Sequence, residues 1–379
     1  MVFSGLRLEN YRGFGQYRLS GLARVNLLVG KNNCGKTSIL EAVQILASQG
    51  DPRILSNIAM QRGEMIAGGE EEKSLYPDIS HLFHGHHFDL NAHFRITSGP
   101  DSGGVGVRLV GLADLDEQQQ FLFDEPAIDR RLAARRVALT GPGEVVAVAI
   151  EGRPDRPSPL ALPVTQEGAL LLERGRIGRL GSRRLDDVTS ILSITPESLE
   201  SIMMGRMWNR LISESREDEV VQSLKIVEPG LASIFFVNDE VVHGSKRSKF
   251  LVGFEDPKRK RVPLGSFGEG MRRLLALSLS LNQAQGGILL VDEIDTGLHY
   301  SILGEMWLLL VKAAIQHDLQ VFATTHSLDC IRGLAWLCEN HPELAGEVSL
   351  QKIDGRLDEA VALDSKQIRI AVEQDLEVR

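Results

Sequence analysis

Cysteine is nearly absent: 379 residues contain only Cys34, Cys330 and Cys338, and no two of them form a C-x-x-C pair. An odd number at such spacing argues against a disulfide framework and against a structural zinc site. Long apolar runs are missing as well. Stretches such as Trp307–Val311 fall far short of the ~20 residues that a membrane span needs. Met1–Arg12 has no apolar core of the kind that marks a secretory signal. There is neither an internal repeat nor a sustained heptad pattern, which excludes a long coiled coil. The formal net charge of −9 excludes a uniformly basic coat, while leaving a local basic patch open. A cytoplasmic globular protein with no membrane association is the expectation.

What is present is an ordinary globular balance, 43% hydrophobic and 25% charged, long enough for two to three packing units. The basic residues are mostly arginine, 31 against 11 lysines, with no lysine between Lys73 and Lys225. Arg130–Arg184 holds eleven Arg against five Asp and Glu. Two readings stay open: a phosphate-facing surface, because guanidinium pairs bidentately with phosphate, or a merely solvated lobe. A second basic run, Lys258–Arg261, sits between apolar stretches and reads as a hairpin edge blunted by charge.

Alternating apolar residues at Phe3, Leu6, Leu8 and Tyr11, then Tyr17, Leu19 and Leu22, predict strands leading to a buried strand over Val25–Val29. A glycine-rich turn follows, then a helix with Ile39, Leu40, Val43 and Leu46 on one face. Strands are expected over His86–Ile96, Val105–Val110, Glu144–Ile150 and Ala169–Leu172, and a helical pattern over Pro196–Leu224. From Leu264 onward helix and strand alternate, an α/β signature.

Gly30–Thr37 reads GKNNCGKT and fits G-x-x-x-x-G-K-[ST]. Glycines let successive N–H groups curl around phosphate oxygens at a helix N-terminus, where the helix dipole favours an anion. The nucleotide-binding candidates are Gly30, Asn32, Asn33, Cys34, Gly35, Lys36, Thr37 and Ser38. Lys36 is expected to neutralise the β- and γ-phosphates of ATP, and Thr37 to offer its hydroxyl to Mg²⁺. Cys34 reads either as a reactive thiol near a helix N-terminus or as a small residue at a tolerant position.

Gly287–Glu293 is an apolar strand ending in two carboxylates, Asp292 and Glu293. Packing explains the apolar run but not the charges, which are costly there unless they serve a cation or a reaction. Asp292 is the expected second Mg²⁺ residue and Glu293 the expected general base for the attacking water. Upstream, Leu264–Gly270 reads LGSFGEG before a helical pattern at Met271–Leu281. Ser266 is expected to cap that helix, with Gly268 and Gly270 beside it at a second anion site; a plainly capped helix is the competing reading. His326 ends the strand Leu319–Thr325 and can reach a γ-phosphate or the water, unless it is a structural histidine.

Together Asn10–Phe14, the P-loop, Ser266–Gly270, Asp292-Glu293 and the His326 strand resemble ABC-type ATPase heads. The likeness is to RecF/SMC-like proteins and to the OLD-family (overcoming-lysogenization-defect) ATPases. It is sharp over 1–50 and 260–330 and looser over 75–95 and 190–237. The resemblance implies a P-loop ATPase head of α/β class with a mixed sheet, its core formed by 1–100 and 260–379. It further implies an inserted β-rich lobe over 101–190 and a helical lobe over 191–259.

It also implies a homodimer in the ATP state, closed head to tail around two ATPs. Lys36, Thr37, Asp292, Glu293 and His326 of one subunit then face Ser266, Gly268 and Gly270 of the other. Asp295 is implied to cross that interface and Arg12 to contact the nucleotide. The signature departs from the usual S-G-G-Q, and no Q-loop glutamine is evident. His81, His84, His86 and His87 lack a carboxylate or cysteine partner at metal-site spacing. Only 53 residues follow His326, so a separately encoded effector is expected in place of an attached Toprim nuclease. Anti-phage defence or DNA processing is the implied setting. The rivals are a RecF-like ATPase that binds DNA itself, a transporter's nucleotide-binding subunit, and a scaffold that binds ATP without hydrolysing it.

Overall fold

The computed structural model of the protein describes residues 3–67, 75–99, 103–111, 146–152, 159–165, 167–171, 190–195, 201–238 and 248–374. In chain order the strands β1 (Gly5–Tyr11), β2 (Phe14–Ser20) and β3 (Val25–Val29) precede the helices α1 (Lys36–Ala47) and α2 (Pro52–Gln61). Then come β4 (Met65–Ala67), β5 (Leu75–Pro77), β6 (His93–Thr97), β7 (Gly104–Gly111), β8 (Val146–Glu151), β9 (Leu160–Val164) and β10 (Ile191–Ile194). Helices α3 (Ser201–Ser213) and α4 (Glu217–Leu224) lead to β11 (Leu231–Asn238), β12 (Ser248–Phe254) and β13 (Val262–Pro263). The last part runs α5 (Glu269–Gln283), β14 (Ile288–Val291), α6 (Leu303–Gln316), β15 (Gln320–Thr324), α7 (Leu328–Asn340), β16 (Val348–Lys352), β17 (Val361–Leu363) and α8 (Ser365–Glu373).

The centre is a sheet ordered β10-β14-β15-β3-β16-β17, parallel throughout except for the antiparallel edge strand β17. Each of β3, β14 and β15 is buried along its whole length, which is why all three are mostly apolar, the exceptions being the buried polar residues Asn26, Gln320 and Thr324. Alternate residues serve two faces. Leu28, Leu290 and Phe322 pack with α1 and a second, antiparallel sheet ordered β2-β1-β6-β7-β8-β9. Leu27, Val29, Leu289, Val291, Val321 and Ala323 pack on the other side with residues of α3 to α8, including Trp208 and Trp307. The fold is α/β, with the P-loop helix α1 held between the two large sheets.

Several expectations change. The strand expected from His86 begins at His93, because His84–His86 forms a 3-10 turn with Gly85 and His86 at positive φ. The described strands of the expected insertion, β7 to β9, are not a separate lobe; they extend the antiparallel sheet begun by β1 and β2. Among its described residues the expected helical lobe is helical over α3 and α4, while Ile191–Ile194 form an edge strand of the parallel sheet and β11 and β12 pair in an antiparallel sheet that β13, beyond the lobe, completes.

All eleven arginines of the Arg130–Arg184 stretch lie outside the described residues. In the Lys258–Arg261 turn, Arg259 pairs with Glu228 at 3.1 Å and stacks on Phe254, while Arg261 stacks on Phe235. Half of that run's charge is thus laid on its own sheet's aromatics. No helix among the described residues is long and apolar enough to cross a membrane.

Candidate active site

The P-loop leaves β3 at Gly30 and enters α1 at Lys36, with Gly30, Asn33 and Gly35 all at positive φ. A side chain at Gly35 would collide with the Phe14 ring, its Cβ 2.4 Å from Cζ. Phe14 is therefore the residue of the Asn10–Phe14 segment that meets the loop. Gly35 is left-handed at φ 101°, no side chain caps α1, and its first turn carries no acid. The first N–H groups of α1 are consequently open to an anion. Gly35→Ala, through steric overlap and a positive φ, should destabilise the loop by about 1–3 kcal/mol. The expected result is a lower melting temperature together with weaker nucleotide binding. An unchanged melt and affinity would show that the Phe14 contact is dispensable.

Lys36 is buried and curls back over the loop. Its Nζ donates to Gly30 O at 2.8 Å and Lys31 O at 2.9 Å, and lies 3.4 Å from His326 Nδ1. Burial holds its ammonium below the ordinary lysine range, against the pull of Cys34, Asp292 and Glu293. Cys34 Sγ is 3.8 Å from Nζ, so the thiol faces the loop interior and not open solvent alone.

The parallel sheet brings the distant carboxylates here. With β15 lying between β14 and β3, the C-terminal ends of all three strands open on one edge, where α/β sheets bind ligands. Thr37 Oγ1 donates to Asp292 Oδ2 at 3.2 Å, joining the two residues expected at Mg²⁺. Thr324 Oγ1 donates to Asp292 Oδ1 at 2.5 Å and accepts from Glu293 N at 2.9 Å. Glu293 sits at φ 49°, left-handed for a residue with a side chain, and its Oε2 accepts from Thr296 Oγ1 at 3.2 Å. His326, just beyond β15, is exposed and faces Lys36.

The structure changes the expected local role of Ser266 and gives Arg12 and Asp295 their surroundings. Arg12 does not face the P-loop: its guanidinium is buried, paired bidentately with Glu64 at 2.8 and 3.1 Å and with Glu41 at 2.6 Å. Its cluster grips the P-loop helix directly, because Glu41 belongs to α1, and Arg62 adds bonds to Glu41 and Ser38 of the same helix. Ser266 is not a helix cap. It lies in a 3-10 turn, Leu264–Phe267, and α5 begins one turn later with Gly268 at φ 84° as its N-cap. Steric economy explains the change: Gly268 takes a conformation closed to serine, and Gly270 fits under Gly297 O, where a Cβ would come within 2.7 Å. Asp295 is anchored inward, accepting from Thr325 Oγ1 at 2.5 Å.

Ser266 and Gly268 are exposed, and no hydrogen bond among the described residues joins Ser266, Gly268 or Gly270 to the P-loop. Within one chain the fold unites Lys36, Thr37, Asp292, Glu293 and His326, but leaves the signature residues outside that set. Sequence reasoning missed Thr324, Thr325, Phe14 and Arg273. A polar pair closing an otherwise apolar strand was the available signal for the two threonines. No described group of three or more His, Cys, Asp or Glu is disposed to hold a metal ion by itself.

Residues 1–99 match a family described as "AAA ATPase domain", and residues 190–330 one described as "AAA domain, putative AbiEii toxin, Type IV TA system". The chain is 21% identical over 352 residues to an "ATP/GTP phosphatase" of Helicobacter pylori, covering 87% of this chain and 86% of that protein. It is 23% identical over 223 residues to the DNA replication and repair protein RecF of Bifidobacterium longum subsp. infantis, covering 56% of this chain and 51% of that one. Among solved structures it aligns with an SMC head bound to the C-terminal winged-helix domain of ScpA, at 14% identity and a TM-score of 0.46, over 95% and 98% of the two chains. One matched domain contains the P-loop and the other the Asp292-Glu293 pair, the Thr37–Asp292 bond brings the two together, and the chain is an ATPase.

Proposed function

We propose that this ATPase is a switch that closes head to tail as a homodimer around two ATPs and controls a separately encoded effector. One observation carries the dimer. The site that gathers Lys36, Thr37, Asp292, Glu293 and His326 is unjoined to the exposed turn at Ser266–Gly270 of its own chain. A second copy would bring that turn, with the open N-terminus of α5, to the γ-phosphate. Each nucleotide would then have both of its charged flanks covered only in the closed state, which is a two-state device.

The chemistry follows from the side chains. Glu293 would orient the attacking water and take its proton, while Lys36 would stabilise charge spreading over the γ-phosphoryl oxygens. His326 would hold a γ-phosphate oxygen or the water in line. The adjoining hydroxyl of Thr37 and carboxylate of Asp292 are the hard oxygen donors that suit Mg²⁺, so the site fits that ion. When bound, Mg²⁺ would neutralise phosphate charge. Asp295 and Arg12 are supporting residues in this reading, the first beside the dimer face and the second beneath α1.

Anti-phage defence or DNA processing is the proposed setting, supported by the toxin-system wording of the family matched over 190–330 and by the likeness to RecF. That likeness also favours the second reading, direct action on DNA as a RecF-like ATPase. Steady-state turnover per subunit against protein concentration, with and without duplex DNA, separates the two. Turnover that rises with concentration and ignores DNA supports a switch awaiting a partner protein. A further rise with DNA supports direct action, and turnover per subunit independent of concentration would overturn the dimer.

A further inference from the structure

Arg273 is a buried cation that none of the roles above uses. It lies on α5, in the turn after Gly270, and is only 3% exposed. Its Nη2 donates to Asp292 O at 2.6 Å and to Glu293 O at 2.9 Å, and its Nη1 to Thr195 O at 3.3 Å. All three acceptors are main-chain carbonyls, and among the described residues no carboxylate lies within ion-pair distance of it. Burial pulls its guanidinium below the ordinary range, while the charges of Asp292, Glu293, Asp295 and Glu269 work the other way.

Packing alone does not ask for this residue. A buried cation without a paired anion is expensive, and a hydrocarbon of similar volume would fill the space on a helix otherwise buried through Met271, Leu274 and Leu275. What a hydrocarbon cannot do is fasten three separate segments. Arg273 joins the helix that follows the signature turn to the residue after β10 and to the residues after β14. Those last two carbonyls belong to the carboxylate pair of the site.

Glu293 needs such a fastening. Its φ of 49° is a left-handed conformation that a side-chain-bearing residue holds only when its surroundings over-determine it. From the β15 side, Thr324 fixes its N–H, and Thr296 touches its carboxylate. From the α5 side, Arg273 fixes its carbonyl and the one before it. The direction of the Glu293 side chain therefore depends on where α5 stands.

We propose that Arg273 is a positioning residue for hydrolysis, a strut through which the signature helix α5 sets the backbone, and hence the carboxylate, of Glu293 in the same chain. This rests on the reading of Glu293 as the base. In the closed dimer it gives each site news of the other: the helix whose N-terminus meets the partner's nucleotide is the helix that aims this chain's own base. A guanidinium suits the task, since its planar fork reaches several carbonyls at fixed angles where an ammonium reaches fewer.

The test uses Arg273→Met and Arg273→Lys in the full chain, reading ATP Kd, kcat and the thermal melt of each. Loss of aim at the base by about an ångström predicts kcat down roughly 10²-fold for Arg273→Met with ATP Kd changed less than about threefold. Arg273→Lys should recover part of kcat. Normal turnover in Arg273→Met, or a loss in Kd as large as the loss in kcat, overturns the strut. If Arg273→Met does not fold, Arg273→Lys decides alone: kcat reduced with Kd and melt unchanged supports the strut, and wild-type kcat overturns it. Combining the Arg273 substitution with Glu293→Gln separates this idea from its premise. A strut acting through Glu293 predicts that the double variant is no slower than Glu293→Gln alone, whereas multiplied losses overturn it. Full turnover in Glu293→Gln alone would instead sink the assignment of the base.

Discussion

Glu293→Gln should bind ATP as the parent chain does and hydrolyse it about 10² to 10⁴ times more slowly. The amide keeps the size of the carboxylate and can still accept from Thr296 Oγ1, now 3.2 Å from Oε2. It cannot take a proton from water. Nothing in the substitution touches Lys36 or the open N-terminus of α1, so affinity should remain. In the proposed switch hydrolysis ends the closed state, so the variant should accumulate as a dimer under saturating Mg-ATP. Light scattering on the nucleotide-bound protein reads this directly. A monomer under those conditions would undo the two-chain site, and unimpaired phosphate release would remove Glu293 from the chemistry.

Lys36→Ala should lose nucleotide binding itself. The ammonium already rests in a desolvated position, held by Gly30 O and Lys31 O. Phosphate oxygens are far better partners for it than these neutral carbonyls. Hydrogen bonds to a charged group contribute about 1.5–3 kcal/mol, so Kd should weaken by ~10- to 100-fold or more. In the parent, ATP at a hundred times Kd should stabilise the fold by about 2.7 kcal/mol, and that ligand-dependent rise in the melt should disappear in the variant.

The ligand-free melt has the opposite sign. Burial places the folded-state pKa of Lys36 below its unfolded value, so the unfolded chain holds the proton more tightly. Parent stability should rise with pH from that lowered pKa up toward the ordinary lysine range. Lys36→Ala should remove that slope. An ATP-induced shift of normal size in the variant would contradict the P-loop assignment.

The legible parts of the chain are those whose chemistry needs adjacent residues. Phosphate binding needs successive N–H groups, glycines and a lysine in one tight turn, so Gly30–Thr37 announces itself. The Asp292-Glu293 pair is legible for a related reason, as two charges ending an apolar strand have no packing excuse. Ser266 was misplaced because a cap is a local steric choice. S-F-G-E-G offers both a serine and a glycine, and the left-handed turn at Gly268 decides between them. The surroundings of Arg12 were not legible, because its guanidinium is buried against Glu41 of α1 and Glu64, partners 29 and 52 positions away that only the packed fold brings to it.

The α/β class, the phosphate loop and the Asp292-Glu293 carboxylates are therefore written in short contiguous patterns, because turn geometry and strand burial act over a few residues. The rest depends on strand order. Placing β15 between β14 and β3 sets Thr324 against Asp292 and His326 against Lys36, and the described strands of the expected insertion, β7 to β9, extend the antiparallel sheet. The reach of Arg273 from α5 to the carbonyls of Asp292 and Glu293 depends on that order as well. These contacts join residues up to 290 positions apart. Burial of two opposite sheet faces chooses them, and that global condition leaves no local mark on the residues that satisfy it.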